Sequence, residues 1–143
     1  MKTFVINPSS IIKNWYLLDA SGQTLGRFAS KIAMLLMGKH KCLYTNNFDV
    51  GDYVIIINAK KIIVSGNKNK DKLYYSHSGY MGGLKIINFE KLLITHPDRI
   101  IFHAVKGMLP KNILGNKMLK KLKIYNLNEH VHVAQKPEKL EGF

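Results

Sequence analysis

Five consecutive residues, Tyr53-Val54-Ile55-Ile56-Ile57, leave no polar face on whichever element they form. A half-solvated strand alternates apolar and polar residues, so a continuous β-branched run of strand length reads as an interior strand of a parallel sheet. Parallel strands need crossover connections, and the flanking segments supply them. Trp15 to Asp19 reads as a buried strand running into the turn Ala20–Gln23. From Leu25 the apolar residues Leu25, Phe28, Ile32, Leu35 and Leu36 recur at helical spacing until Gly38, which suits a C-terminal cap. Ile62 to Val64 reads as a short strand, 65–70 as a polar turn, and Leu73 to Tyr75 as the start of a strand before the glycine-rich loop 79–83. Phe89–Thr95 and Pro97–Met108 read as helical, with Pro97 suited to a first turn. A last helix is expected over about Ile113 to Lys121, and a strand over Leu122 to Tyr125. Strands alternating with helices give an α/β layered fold with a small, mostly parallel sheet. The length suits one domain over 1–143, with its core at about 14–126. Beyond Asn126 periodicity stops, and 127–143 reads as an irregular, extended C-terminal tail that lies along a partner surface.

No apolar run approaches the ~18 residues of a membrane span, and the N-terminus holds no stretch suited to a secretory signal. The single cysteine, Cys42, excludes an internal disulfide and any multi-cysteine zinc site. A reducing, cytosol-like compartment is the expectation.

Charge says more about partners. Lys and Arg number 22 against nine Asp and Glu, a formal net charge of +13. Self-repulsion in the compact state makes this an odd choice for stability alone, whereas a polyanion releases a condensed counterion for each phosphate neutralised. The cations are also clustered. From Arg99 to Asn128 there are seven Lys and Arg and no acid, including Lys106, Lys111, Lys117, Lys120, Lys121 and Lys123. Helical spacing places Lys117, Lys120 and Lys121 on one face, opposite Leu114, Met118 and Leu122, so their replacement by Gln is expected to leave the fold intact. Gly38-Lys39-His40-Lys41 follows a helix end with Tyr44 close behind, and Lys60, Lys61, Lys68 and Lys70 bracket a turn. The stretch 74–80, with Tyr74, Tyr75, His77 and Ser78, is flanked by Lys72 and Lys85. Rings and hydroxyls among cations suit unstacked RNA bases and 2′-hydroxyls. Gly107 is expected to close a helix ending near Lys106, in a positive-φ cap beside which RNA backbone approaches.

An α/β fold also raises the question of nucleotide chemistry. The turn Asp19 to Arg27 has glycines four apart, not the G-x-G-x-x-G of a dinucleotide site, and no G-x-x-x-x-G-K-[ST] loop occurs. A two-metal nuclease needs clustered carboxylates, and the near neighbours Asp49 and Asp52 both fall in a loop. His130 and His132 form H-x-H without a third ligand nearby, and read as RNA contacts or plain surface rather than a metal site. No cofactor, metal, small-molecule substrate or membrane partner is expected. The sequence thus reads as a non-enzymatic RNA-binding protein. The alternatives are a free-standing RNA-binding regulator and, behind it, a nucleotide-dependent RNA-modifying enzyme.

Val105-Lys-Gly-Met-Leu-Pro-Lys111, with Leu114-Gly115 and Lys120-Lys-Leu-Lys-Ile-Tyr125, resembles the diagnostic segment of the ribosomal large-subunit protein L-thirteen family. The likeness extends over nearly the whole chain, through Trp15-Tyr16, Thr24-Leu-Gly-Arg27, Gly38-Lys-His-Lys41, Gly51-Asp-Tyr53, Gly66-Asn-Lys68, Gly82-Gly83 and Asn128-Glu-His130. It implies a three-layer α/β/α domain, Rossmann-like without the nucleotide site. It also implies an early-assembling protein that orders large-subunit ribosomal RNA beside neighbouring ribosomal proteins, in the cytoplasm or in an organelle. By that resemblance the segment Lys106, Gly107, Met108 to Lys111, the 117–121 face, the 38–41 turn and the 74–79 loop face RNA. Met34-Leu-Leu-Met37 and Thr45-Asn46-Asn47-Phe48 depart from the family's usual arginines and Pro-His.

Overall fold

A computed structural model describes residues 6–7 and 11–140; residues 1–5, 8–10 and 141–143 of the expected domain and tail lie outside it. Strand β1 (Trp15–Asp19) leads into helix α1 (Leu25–Met37) and back to β2 (Tyr53–Ile57). There follow α2 (Lys68–Asp71), the strands β3 (Leu73–His77) and β4 (Leu84–Asn88), and the helices α3 (Phe89–Thr95), α4 (Pro97–Met108) and α5 (Ile113–Leu119). The chain closes with β5 (Leu122–Ile124) and β6 (Glu138–Lys139). The main sheet is parallel in the order β5-β2-β1-β6, with Leu17 opposite Ile55 and Ile55 opposite Lys123. The all-apolar run therefore forms an interior strand, and its Val54, Ile55 and Ile56 are fully buried.

The steps β1 to β2 and β2 to β5 run the same way across the sheet. Right-handed crossovers then lay every connecting helix on one face. Accordingly Phe28, Ile32 and Leu36 of α1, Phe89 and Leu92 of α3, Ile100, Ile101 and Val105 of α4 and Met118 of α5 share a core with Leu18, Val54, Ile56 and Leu122. Burying each large side chain contributes roughly 1.5–3 kcal/mol. The opposite face carries Leu17, Ile55 and Ile57 beneath Trp15 and Tyr125. There Trp15 stacks on Tyr53 at 4.3 Å between ring centroids, and the tail residue His132 leans on Trp15 at 5.2 Å. The α/β class and mostly parallel sheet are as the sequence implied. Among the described residues the covering of the second face comes from aromatic rings and tail, not helix.

Helix α1 ends where Gly38 takes φ +79, its N–H donating to the carbonyls of Leu35 and Met34. Several local readings change. Residues 62–64 form only an isolated bridge, Thr24 to Ile63, because Ala59–Lys61 coils as a 3-10 turn just before them. Lys68–Asp71 winds into one α-turn instead of a loop. Strand β3 pairs antiparallel with β4, a partner the sequence reading did not anticipate. Part of the tail is ordered as an edge strand, with Glu138 opposite Tyr16 and Lys139 opposite Leu17.

Candidate nucleic-acid interface

Two groups of lysines in this fold have opposite surroundings. Lys121 is 4% exposed, and its ammonium donates to Asp49, to the Gly51 carbonyl at 2.9 Å and to the Leu36 carbonyl at 3.3 Å. An ammonium has three donors, and all three are engaged. Burial pushes its pKa below the usual lysine range, opposed by the hydrogen bond and charge of Asp49. The reading of Lys121 on an exposed helix face is thereby corrected: α5 ends at Leu119, and the chain turns Lys121 inward before β5. Lys41 is engaged the same way, donating to Asp52 at 2.5 Å and to the carbonyls of Ile12 at 2.8 Å and Val50 at 3.1 Å. Asp52 is fully buried and also accepts the Asn14 N–H at 2.8 Å; His40 Nε2 lies 2.9 Å from its other oxygen, close but not aligned as a hydrogen bond. The two lysines thus lace the loop 49–52 from opposite sides. The acidic pair singled out in the sequence is the counter-charge of an internal brace. Packing there is tight: a Cβ on Gly51 would stand 1.7 Å from the Leu36 carbonyl oxygen.

The second population surrounds the end of α4. A cavity of about 520 Å³ is lined by Thr24, Arg27, Ser65, Lys68, Lys72 and Met108, among others, and by no acid among the described residues. A second, of about 470 Å³, is lined by His103, Lys106, Gly107, Leu109, Pro110, Lys111, Gly115, Asn116 and Leu119, again without an acid. Side chains connect the two. The Lys72 ammonium lies 5.5 Å from the centroid of the Tyr74 ring, which lies 6.2 Å from the His103 ring. Burial raises the Tyr74 pKa, so the phenol keeps its proton. Helix α4 positions His103 and Lys106 one turn apart, and the 109–112 loop returns Lys111 to the same rim. That loop is fixed by Asn112, whose side-chain oxygen accepts the Gly115 N–H at 2.7 Å, and by Gly115, where a Cβ would stand 1.9 Å from the Pro110 carbonyl oxygen.

Of the residues singled out in the sequence, Lys68, Tyr74, Lys106, Gly107, Met108 and Lys111 converge here. Lys117 and Lys120 are exposed beside Asn116, and Lys123 is half-buried on β5. Lys39, His40, Lys41 and Tyr44 do not join them: they follow the far end of α1, about 15 Å along the helix from Arg27. Exposed Tyr75, His77 and Ser78 belong to the β3–β4 hairpin, where His77 Nδ1 accepts the Gly79 N–H at 3.0 Å. His130 and His132 contact Tyr125 over the second face of the sheet. Gly107 also differs from expectation. It lies inside α4 without a positive φ, because the helix continues to Met108. Arg27, Lys72, His103 and Asn116 were not among the chosen site residues. The i, i+3 spacing of His103 and Lys106 was the one local signal that pointed to a shared face.

Among the described residues no group of three or more His, Cys, Asp or Glu is arranged to hold a metal, and no helix is long and apolar enough to cross a membrane. Comparison with known proteins gives a single answer. The family model described as Ribosomal protein L13 matches residues 13–131. The large ribosomal subunit protein uL13 of a Thermoanaerobacter species is 53% identical over 141 residues, covering 99% of each chain. That of Francisella philomiragia is 56% identical over 138 residues, 96% of this chain and 97% of its own. That of Thioalkalivibrio sulfidiphilus is 56% identical over 141 residues, again 99% of each. With over half its residues shared along almost its whole length, the chain belongs to the ribosomal protein L13 family.

Proposed function

We propose that this protein is a structural constituent of the large ribosomal subunit that binds and orders its RNA through the basic surface around the end of α4. A ribosomal protein of this family is not an enzyme, and its chemistry is that of binding. One observation carries the reading: the two cavities flanking α4 are lined by Arg27, Lys68, Lys72, Lys106 and Lys111 with no acid among their linings. Elsewhere, at 49–52, the same fold pairs its lysines with carboxylates. Point charges on an acid-free surface suit phosphate neutralisation, while Tyr74 and His103 between them offer rings to unstacked bases. The reading treats 1–143 as one domain whose 127–143 tail contributes to neighbouring contacts, and places the protein on cytoplasmic or organellar ribosomes, early in assembly. Sucrose-gradient fractionation of lysate tests it. Near one copy per large subunit, retained at physiological salt, is the expected result. A pool confined to the top of the gradient overturns it in favour of a free-standing regulator.

A further inference from the structure

Gly107 sits in the last turn of a 12-residue helix, where glycine is among the poorest helix formers. Among the described residues nothing requires it: its φ is not positive, and a Cβ built there meets none of their atoms within 4 Å. Gly115, on the same cavity, has the opposite character: its Cβ would collide with Pro110. One glycine is demanded by packing and the other is not, so the missing side chain at 107 serves something outside the chain.

The cavity that Gly107 borders indicates what that is. Its floor is apolar, from Leu109, Pro110 and Leu119; His103 offers a ring, Asn116 an amide, and Lys106 and Lys111 cationic rims. At about 470 Å³ it has the size of a small-ligand pocket. We propose that it receives one nucleoside extruded from the large-subunit RNA. The base lies on the apolar floor beside His103, the Asn116 amide reads its hydrogen-bonding edge, and Lys106 and Lys111 hold the phosphates on either side. Gly107 leaves the mouth open for the ribose and backbone. A protein side chain is a poorer occupant, because the cationic rim has no acid and favours a polyanionic strand. This inference deepens the RNA-binding reading and depends on it.

The test measures binding of wild type, Gly107→Ala, Gly107→Leu and Asn116→Ala to in-vitro transcribed large-subunit RNA across a salt series, alongside thermal unfolding. Alanine or leucine at 107 is expected to raise the melting temperature, for alanine by roughly 2–5 °C. Gly107→Leu is expected to weaken binding roughly ten-fold or more, with an unchanged salt slope because no charge is lost. Asn116→Ala weakens it less, and unequally among RNAs altered at the extruded position. If wild type binds but Gly107→Leu binds equally well, the nucleoside pocket is wrong while the RNA-binding reading stands. If wild type itself fails to bind, both fall together.

Discussion

Lys121 and Lys106 carry the same formal charge in the same acid-free stretch of sequence, yet they have opposite environments. Around loop 49–52 Lys41 and Lys121 are each held by three acceptors, one of them a carboxylate, and their charge is neutralised within the fold. Around the end of α4 the lysines stand on open cavity rims with no carboxylate lining them. The difference follows from the order of events along the chain. Leu122 must enter the sheet beside Val54, so the residue before it is pulled into the interior and needs a counter-charge beside it. Lys106 and Lys111 flank a helix end and a loop, where nothing draws them inward. A +13 chain therefore presents fewer free cations to a partner than its composition suggests, and five of its cations line the two cavities beside α4.

The largest effect that could break this comparison is on stability. Lys121→Met strands Asp49 and two carbonyls, and should cost about 3 kcal/mol, near the low end for a broken buried pair because Lys13 still approaches Asp49 at 3.3 Å. Urea unfolding measures it, and adding Asp49→Asn should recover part of the loss. No loss would show that the brace is ornamental. The Gln replacement of Lys117, Lys120 and Lys121, expected from sequence to leave the fold intact, should instead unfold more easily, whereas Lys117→Gln with Lys120→Gln alone should stay within about 0.5 kcal/mol of wild type. Next comes Gly115→Ala, expected to cost about 1–3 kcal/mol by forcing the 109–112 loop off α5, against the gain expected at Gly107. Equal signs at the two glycines would remove the contrast between them.

The smallest effect is one of pH. Burial opposes ionisation of Asp19, but hydrogen bonds from the Ser21 N–H, the Ser21 hydroxyl and the Asn58 amide, together with the charge of Lys61, leave its pKa below the usual value. A carboxylate with a depressed folded pKa contributes stability above the unfolded value, near 3.9, and loses it as pH falls through the folded one. The melting-temperature gap between wild type and Asp19→Asn should hold at neutral pH and shrink progressively below about pH 4. A gap independent of pH would assign the effect to hydrogen bonding alone.

The elements best read from sequence are those whose own residues set them: the run 53–57, the 3.6-residue period of α1 and its Gly38 cap, and Pro97 at the start of α4. What escaped depends on partners distant in the chain. Strand β4 is exposed on most of its residues, so it has no burial pattern to read. Strand β6 exists only because β1 leaves an edge for it. Lys121 looked like part of an exposed face because sequence shows neither where α5 stops nor that Asp49 waits for it. Gly107 was singled out for a backbone conformation it does not adopt, although its lack of a side chain remains pertinent.

The central claim is that the open lysines, and not the braced ones, meet phosphate. A salt titration of RNA affinity for wild type, for Lys68→Gln/Lys72→Gln/Lys106→Gln/Lys111→Gln, and for Lys121→Met held below its unfolding temperature tests it most directly. The account predicts that the quadruple variant stays folded and flattens the slope of log affinity against log salt by up to about 3 units, while Lys121→Met keeps the wild-type slope. A folded quadruple variant with an unchanged slope, or a flattened slope for folded Lys121→Met, would contradict it.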